Sequence, residues 1–397
     1  MASDRPIRIL VAPNAFKESL TAMEAAQAIS RGVLKVHPKA KIFRIPIADG
    51  GDGTLEAVVA GTSGSVRKAR VLDPLGRKIT AEYGLTGDGK TAIIEMSRAS
   101  GLALVPPGRR NPMKTTSFGT GQLIRAALDA GVRNIILGIG GSATVDGGIG
   151  ALQALGIRLL NGNGKPVAAG GEGLVALRGI DCRSMHSALR KAKLLVACDV
   201  DNPLIGPKGA AAVFGPQKGA TAPMVRQLDK ALARFGKLIE RTFGRDVSRI
   251  PGTGAAGGIA GSFKGILGAE LRPGSELIFD LLKVNQILPK VDLVITGEGR
   301  IDFQTPFGKG PGMLAKLASR HGLPVIGIAG SVADQIENLY QEGFSAIFSI
   351  VKGPMELRDA MQEAASLMEF TAEQVTRMLC HVALPRFHHQ GKAQPRP

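Results

Sequence analysis

Short apolar segments alternate with amphipathic segments along most of the chain. Residues 7–12 are apolar and lead through a loop to Thr21 and Glu24, which have the spacing of a helix capping box. Pro38 is expected to end that helix. Strands alternating with helices predict a parallel α/β architecture. Six later segments have the same apolar character and predict further strands, at residues 42–48, 134–140, 193–198, 291–296, 324–329 and 345–351.

Residues 65–96 have a different pattern, in which apolar and polar positions alternate between turn signals. This is typical of antiparallel strands. From residue 291 onward the alternation of strand and helix returns. The antiparallel stretch therefore marks the start of a second domain placed inside the first.

The length of 397 residues exceeds what one ordinary hydrophobic core supports. We predict an α/β protein of two domains. Residues 1–64 and 290–384 would form a Rossmann-like domain with a parallel sheet, discontinuous because it uses both chain ends. Residues 65–289 would form an inserted mixed α/β domain. Residues 385–397, rich in proline, histidine and basic residues, are expected to be a disordered tail.

Cysteine content and hydropathy indicate the cellular compartment of the protein. The three cysteines, Cys182, Cys198 and Cys380, are far apart and form no C-x-x-C pair, which is typical of a reducing cytoplasm. No apolar run approaches the roughly 18 residues that span a bilayer. The apolar stretch at the N-terminus is too short for a signal peptide. We expect a cytoplasmic protein with no membrane partner.

The chain is strongly basic, with a formal net charge of +17. This charge would attract ATP, an anionic substrate or a polyanion by long-range steering. The basic residues are spread along the chain, there is no Trp, and there are two Tyr. Scarce aromatic side chains disfavour binding of nucleic acid by base stacking. We expect no nucleic-acid partner.

Two segments match nucleotide-binding patterns but lack the required context. Residues 84–91, GLTGDGKT, match the P-loop, yet AIIEM follows and predicts a strand, whereas a P-loop opens a helix. We interpret this segment as a β-hairpin turn. Residues 252–257, GTGAAG, match the dinucleotide fingerprint, but Pro251 precedes them and no β-unit does. A small-residue segment that closely approaches a ligand or another helix remains open for residues 252–268.

Five other loops follow predicted strands. Loop one, residues 13–20, carries Lys17 just before a helix, where it is either a neutraliser of phosphate or carboxylate or one more exposed cation. Loop two, residues 48–54, carries Asp49 and Asp52. Two carboxylates this close repel unless a cation or a proton lies near them. A magnesium or base role and a plain acidic turn are both open here.

Loop three, residues 138–150, reads GIGGSATVDGGIG and leaves a strongly apolar strand to open a helix. Its flexible backbone, the hydroxyls of Ser142 and Thr144, and the helix N-terminus predict a phosphate cradle. Asp146 is either a metal ligand or a helix N-cap. Of the five loops, this one has the context that anion binding requires.

Loop four, residues 198–220, places Asp199 and Asp201 at the carboxyl end of a strand, the edge where open α/β sheets bind ligands. Lys208 and Lys218 lie in the same glycine-rich stretch, and an Asx turn is the structural alternative. Loop five, residues 296–311, again follows an apolar strand. Its polar residues are Glu298, Arg300, Asp302, Thr305 and Lys309.

The five loops together favour a magnesium-dependent phosphotransferase. Such an enzyme needs donors for phosphate oxygens, carboxylates for magnesium, and a base for the attacking hydroxyl. None of the six histidines lies in these loops, which disfavours histidine acid–base chemistry and zinc sites.

Several of these loops lie in longer segments that resemble the bacterial glycerate kinase family, which includes glycerate 2-kinases. The resemblance covers about residues 6–380 and implies phosphorylation of D-glycerate by ATP, with Mg²⁺, to 2-phosphoglycerate in a two-domain α/β fold. Asn14 and Ala15 stand where many members have Asp-Ser, which makes Asn14 a poor metal ligand. Val145 and Phe303 also depart from the family pattern. The segments are APNAFKESL, PIADGGDGT, NPMKTTSFGTG, GIGGSATVDGG, VACDVDNPLIGPKGAAAVFGPQKGA and DLVITGEGRID.

Our hypothesis assigns each candidate residue a role. Lys17 would be catalytic against the substrate carboxylate, and either Asp49 or Asp199 would accept the hydroxyl proton. The expected substrate-binding residues are Asn14, Ser19, Lys114 and Arg300. The expected ATP-binding residues are Gly140, Gly141, Ser142, Thr144 and Lys309. The expected magnesium ligands are Asp201, Glu298 and Asp302.

Some alternatives stay open at this point. The acceptor hydroxyl could be the one at position 3, or the substrate a related small hydroxy acid. A basic nucleotide- or nucleic-acid-binding protein without catalytic activity is the alternative from another class. Both a monomer and a homodimer are compatible with the sequence.

Overall fold

The computed structural model describes residues 6–305 and 310–382. The chain divides into two compact units. Unit 1 comprises Met1–Ala48 and Phe279–Pro397, and unit 2 comprises Asp49–Ile278. The predicted Lys309 and the predicted tail at residues 385–397 lie outside the described residues.

Unit 1 is built on a five-stranded parallel sheet with the order β13-β12-β11-β1-β2. Its central strand β11 is almost completely buried, as expected when helices cover a parallel sheet. The strands are β1 (Arg8–Pro13), β2 (Lys41–Arg44), β11 (Leu293–Ile301), β12 (Val325–Val332) and β13 (Ala346–Ser349).

The helices of unit 1 begin with α1, and its predicted capping box is confirmed. The Glu24 amide donates to Thr21 Oγ1 at 3.2 Å, and the Glu24 carboxylate accepts the Thr21 amide at 2.8 Å. Gly32 allows α15 to approach α1, because a Cβ there would lie 2.2 Å from the Glu369 carbonyl. The helices are α1 (Ala22–Val36), α11 (Val284–Ile287), α12 (Gly310–Arg320), α13 (Glu337–Gln341), α14 (Leu357–Gln362) and α15 (Ala364–Val382).

Unit 2 contains a six-stranded mixed sheet with the order β10-β9-β6-β5-β4-β3 and a separate pair, β7-β8. Strand β4 pairs antiparallel with both β3 and β5. The pairs β5–β6, β6–β9 and β9–β10 are parallel. The strands are β3 (Ser65–Leu72), β4 (Lys78–Leu85), β5 (Thr91–Glu95), β6 (Asn134–Gly138), β7 (Arg158–Leu160), β8 (Gly179–Asp181), β9 (Lys193–Ala197) and β10 (Glu270–Arg272).

The longest helix of unit 2 is α8, which is capped by Thr221 and ends at Gly244 in a left-handed conformation. A further helix, α10 (Gly274–Leu281), contains the chain boundary between the units. The others are α2 (Thr54–Gly61), α3 (Ser97–Ser100), α4 (Phe118–Asp129), α5 (Ile149–Ala154), α6 (Gly170–Ala176), α7 (Ala210–Phe214), α8 (Ala222–Phe243) and α9 (Ala255–Ser262).

The α/β prediction is confirmed, with a parallel sheet and a mixed sheet. Unit 2 begins before the expected residue 65 and ends before residue 289. Helix α2 packs on β4 and β5, which explains why the residues just before the antiparallel strands cluster with them. None of the helices in the described part of the chain is long and apolar enough to cross a membrane.

Strand β11 is longer than predicted. Residues 291–296 were expected to be the strand, but it continues to Ile301 because Ile301 pairs with Val332 of β12. Glu298 and Arg300 therefore lie on a strand and not in a loop. The polar residues of loop five are held by sheet hydrogen bonding up to that point.

Both motifs that were set aside are structural. Residues 84–91 connect the antiparallel strands β4 and β5, and the Thr86 amide donates to the Thr91 carbonyl at 3.0 Å. The segment at residues 252–257 lies against loop three, where a Cβ on Gly257 would be 2.0 Å from the Thr144 carbonyl. It is a buried, tightly packed turn leading into α9.

Candidate active site

Loop two crosses the carboxyl edge of the unit 2 sheet. A Cβ on Gly138, at the end of β6, would lie 2.5 Å from the Gly50 carbonyl. A Cβ on Gly50 would lie 2.7 Å from that of Ala197, at the end of β9. Only glycine permits this approach, because Gly50 also has a φ of 88°. The acidic loop is thereby brought to the strand that precedes Asp199.

Asp49 and Asp199 come together at this edge. The Gly274 amide donates to Asp199 Oδ1 at 2.9 Å, and a Cβ on Gly274 would lie 2.0 Å from the Asp49 carbonyl. Burial raises the pKa of Asp199 to about 6, aided by the negative charges of Asp49 and Glu276 and opposed by the Gly274 hydrogen bond. A carboxylate with this pKa can accept a proton near neutral pH.

The rest of loop two is an ordered acidic turn. The Gly51 amide donates to Asp49 Oδ1 at 3.1 Å, and Ser97 Oγ donates to Asp52 Oδ1 at 2.9 Å. The Thr54 hydroxyl donates to the Gly51 carbonyl at 2.7 Å, and Gly53 is the N-cap of the next helix. Asp49 is thus fixed by its own turn beside Asp199.

Loop three presents an exposed glycine turn followed by buried residues. Gly140 and Gly141 are exposed, and Gly141 has a φ of 65°, a conformation that favours glycine. The Gly141 carbonyl accepts the Leu102 amide at 2.7 Å. Ser142 and Thr144 are buried, and within the described residues Thr144 Oγ1 has no hydrogen-bond partner. An exposed turn with fixed flanks is suited to presenting amides to a phosphate.

Asp146 acts as a cap and brace. It is fully buried, and its carboxylate accepts the Ser117 amide at 2.9 Å, Ser117 Oγ at 2.8 Å, and the amides of Gly148 and Gly150. Burial raises its pKa, while these hydrogen bonds act in the opposite direction. Since all these partners are donors, the ionised form fits the site.

The cap changes one expectation about loop three. Its helix α5 was expected to offer its N-terminus to an anion, but the Asp146 carboxylate already accepts the Gly148 and Gly150 amides there. The exposed Gly140–Gly141 turn is the remaining place for a phosphate in this loop. The N-cap of α5 is Gly148, and Asp146, two residues before it, supplies the carboxylate that accepts the amides at the start of this helix.

Lys114 and Asp201 are exposed in unit 2. Lys114 adjoins Thr115, whose Oγ1 donates to the Ala143 carbonyl at 2.8 Å. The segment carrying Lys114 therefore lies against loop three. Asp201 follows Asp199 by two residues, after the end of β9.

Loop one and β11 meet at the carboxyl edge of the unit 1 sheet. The Asn14 amide donates to the Gly297 carbonyl at 2.8 Å, and Asn14 Oδ1 accepts the Ala15 amide at 2.7 Å. Ser19 Oγ donates to the Met361 carbonyl at 2.7 Å. Lys17 is exposed, so its ammonium faces solvent. Asn14 and Ser19 are thus engaged in holding the loop.

Glu298, Asp302 and Thr305 form a cluster in unit 1. Thr305 Oγ1 donates to Glu298 Oε1 at 2.9 Å and accepts the Asp302 amide at 3.1 Å. Arg300 Nε lies 3.7 Å from Asp302 Oδ2. Glu298 is buried, whereas Arg300 is exposed. Two of the predicted magnesium ligands, Glu298 on β11 and Asp302 just after it, are therefore connected through the Thr305 hydroxyl.

A complete metal site is not preformed in the described ranges, 6–305 and 310–382. They contain no group of three or more His, Cys, Asp or Glu side chains arranged to hold a metal ion. Of the predicted ligands, Glu298 and Asp302 belong to unit 1 and Asp201 to unit 2. Their role as a set stays a prediction.

Comparison with known proteins gives the family. The model of the glycerate kinase family matches residues 9–380. The chain belongs to the glycerate kinase family. It is 50% identical to a glycerate kinase of Bacillus subtilis (strain 168), over 93% of this chain and 97% of that protein. It is 47% identical to the glycerate 2-kinase of Escherichia coli (strain K12), over 90% and 94% of the two chains.

A solved structure of a family member has the same fold. The crystal structure from Salmonella typhimurium LT2, provisionally assigned as glycerate kinase 2, matches with a TM-score of 0.89 and 48% identity. The match covers 95% of this chain and 99% of that one. The resemblance of the six sequence segments to glycerate kinases is therefore confirmed over nearly the whole chain.

One buried residue of this glycerate kinase family chain received no role from the sequence. Lys218 is 2% exposed, and its Nζ donates to Ser142 Oγ and to the Thr144 carbonyl, each at 2.8 Å. Its glycine-rich surroundings were noted, but Lys208 has the same surroundings and is exposed. Local sequence carries no signal that separates the two lysines.

Proposed function

We propose that this chain transfers the γ-phosphoryl group of ATP to the 2-hydroxyl of D-glycerate, giving 2-phosphoglycerate and ADP. Family membership supports glycerate as acceptor, and the similarity to a glycerate 2-kinase favours the 2-hydroxyl. The observation that carries the chemistry is Asp199 beside Asp49, with its pKa raised to about 6. Such a carboxylate is matched to accepting a hydroxyl proton at neutral pH.

In this mechanism Asp199 accepts the proton of the 2-hydroxyl as its oxygen attacks the γ-phosphorus. The bond between that phosphorus and the bridging oxygen of ADP breaks, and ADP leaves with the electron pair. Burial is the main cause of the raised pKa of Asp199, and the negative charge of Asp49 adds to it. Phosphoryl transfer otherwise depends on positioning and charge neutralisation.

The substrate carboxylate requires a cation. Lys17, Lys114 and Arg300 are exposed at their loops or strand ends, where each is accessible to a small anion. We assign Lys17 as the principal partner, with Lys114 or Arg300 assisting. Asn14 and Ser19 would shape that site through loop one, because their side chains hold its backbone.

The ATP phosphates would bind at the exposed Gly140–Gly141 turn with Ser142, Thr144 and Lys309. Thr144 Oγ1, which is buried and has no hydrogen-bond partner among residues 6–305 and 310–382, fits a polar site in this loop. Asp201, Glu298 and Asp302 offer the oxygen ligands that Mg²⁺ prefers, and Mg²⁺ commonly needs only one or two carboxylates beside the phosphates. When bound, the ion would neutralise charge on the phosphate oxygens.

The test is the product formed by the purified chain from ATP, Mg²⁺ and D-glycerate. ADP release is followed with pyruvate kinase and lactate dehydrogenase, and a sample of the product is given to enolase alone. We expect ADP release and direct conversion of the product by enolase, which acts on 2-phosphoglycerate. Conversion only after phosphoglycerate mutase is added would assign the 3-hydroxyl instead.

Two further outcomes bear on the substrate. Tartronate and hydroxypyruvate serve as competing acceptors, and a higher kcat/KM for either would make the chain a kinase of a related hydroxy acid. Absence of ADP release with all three acceptors would contradict the proposed activity.

A further inference from the structure

Lys218 is a fully buried cation that the proposed reaction does not yet use. It ends a short 3₁₀ turn, Pro216–Lys218, in unit 2. The next residue, Gly219, has a φ of 89°, and a Cβ there would lie 2.2 Å from the Arg110 carbonyl. Lysine is almost never fully buried unless its charge is paired. The backbone is thus fixed so that this side chain points into the unit.

The ammonium of Lys218 joins two positions of loop three. Its bonds to Ser142 Oγ and to the Thr144 carbonyl lie on either side of Ala143 in sequence. Ala143 itself donates its amide to the Ser100 carbonyl at 2.9 Å and accepts Thr115 Oγ1 through its own carbonyl. Three consecutive residues directly after the Gly140–Gly141 turn are therefore held in place.

Stability alone does not account for this arrangement. Burial lowers the pKa of Lys218 to about 7, and the negative charge of Asp146 opposes that shift. The carboxylate oxygens of Asp146 already accept Ser117, Gly148 and Gly150. An apolar side chain of similar volume often replaces a buried charge without loss of stability. Burying the ammonium of Lys218 costs folding free energy, which points to a role for this lysine beyond packing.

We infer that Lys218 is a positioning residue for phosphoryl transfer, acting through Ser142 and Thr144 to fix the Gly140–Gly141 turn against the donor phosphates. This inference rests on the proposed function, in which that turn binds ATP. Lys218 does not touch the nucleotide, because its side chain is buried beneath the loop. Its effect should appear in nucleotide binding and not in binding of the acceptor.

The test compares Lys218→Met with Lys208→Met, an exposed lysine of the same segment. KM for ATP, KM for D-glycerate, kcat and the melting temperature are measured for both variants and for the wild type. We expect Lys218→Met to raise KM for ATP by about tenfold or more, since small displacements of a binding loop have large effects. KM for D-glycerate should stay within about twofold of the wild type, as should all parameters of Lys208→Met.

The outcomes separate this inference from the proposed function. An active wild type with an unchanged KM for ATP and kcat in folded Lys218→Met overturns the role of Lys218 alone, as does an equal rise in both KM values. A wild type that releases no ADP overturns the proposed function and this inference with it. If Lys218→Met does not fold, Lys218→Leu, which likewise has no donor, is measured in its place, and a wild-type KM for ATP there overturns the inference.

Discussion

Two glycine-rich segments of unit 2 contain the same residue types in very different surroundings. The turn at residues 84–91 matches the P-loop pattern, but its Lys90 is exposed and its Asp88 accepts Thr86 Oγ1 and the Lys90 amide within the turn. Loop three matches no such pattern. There Asp146 is buried and hydrogen-bonded to Ser117. Ser142 in the same loop accepts a hydrogen bond from Lys218, which lies 76 residues later in the sequence.

The difference shows that burial and contacts with residues distant in sequence define a site, whereas a match to a short sequence motif does not. The hydrogen bond from the Thr86 hydroxyl is the largest cause lowering the pKa of Asp88, whereas burial raises the pKa of Asp146. The Asp88 carboxylate accepts hydrogen bonds within its own turn, whereas the Asp146 carboxylate connects loop three to the segment that carries Ser117. Matched substitutions in the two segments should therefore have unequal effects.

The largest expected effect is on stability, for Asp146→Ala against Asp88→Ala. Removing the Asp146 carboxylate leaves the buried amides of Ser117, Gly148 and Gly150 without acceptors, which should cost at least about 3 kcal/mol of unfolding free energy. Asp88 is exposed, so water replaces its hydrogen bonds and the loss should be much smaller. Urea denaturation monitored by circular dichroism measures both, and equal losses would contradict the distinction.

A smaller contrast is expected between Gly257→Ala and Gly89→Ala. The two glycines have φ values of 71° and 68°, so each substitution carries a similar backbone penalty of about 1 kcal/mol. A Cβ on Gly257 would also lie 2.0 Å from the Thr144 carbonyl, whereas one on Gly89 meets nothing within 4 Å. The free energy of unfolding should therefore fall by about 2 kcal/mol more in Gly257→Ala than in Gly89→Ala. Matching denaturation midpoints would show that loop three yields to the added methyl group.

The smallest expected effect is that of Lys90→Met. If the P-loop match has no functional meaning, KM for ATP and kcat should stay within about twofold of the wild type, as for other surface substitutions. The ADP-release assay decides this. A large rise in KM for ATP would restore the hairpin as a nucleotide site.

The sequence predicted what depends on neighbouring residues. Thr21 and Glu24 formed the expected capping box, and the strand pattern after Lys90 gave the hairpin. The extension of β11 to Ile301 was missed, because it depends on pairing with Val332 of another strand.

The candidate site was predicted in part for the same reason. Asp49 and Asp199 were identified because each directly follows a predicted apolar strand, and the structure brings them together. The bracing role of Asp146 and the burial of Lys218 depend on partners distant in sequence, at Ser117 and Ser142. Local sequence patterns do not predict those contacts, because the partners are distant in sequence.

The chemistry assigned to the unit 2 edge has a matched set of variants. Asp199→Asn keeps an oxygen that can accept the Gly274 amide, and Asp49→Asn keeps the acceptor of the Gly51 amide, so both should fold. The raised pKa of Asp199 means that its ionisation opposes folding as pH rises from the ordinary aspartate range through about 6. Loss of that charge should not destabilise the chain above pH 6. Asp246→Asn, at an exposed carboxylate of the same unit, is the control.

The most direct test of the account is the pH dependence of kcat/KM for D-glycerate in these variants. The wild type should lose activity as pH falls through about 6, because the base becomes protonated. Asp199→Asn should lose about 100- to 10,000-fold in kcat, Asp49→Asn should move the acidic limb to lower pH, and Asp246→Asn should change neither. Near wild-type turnover in folded Asp199→Asn would contradict the account.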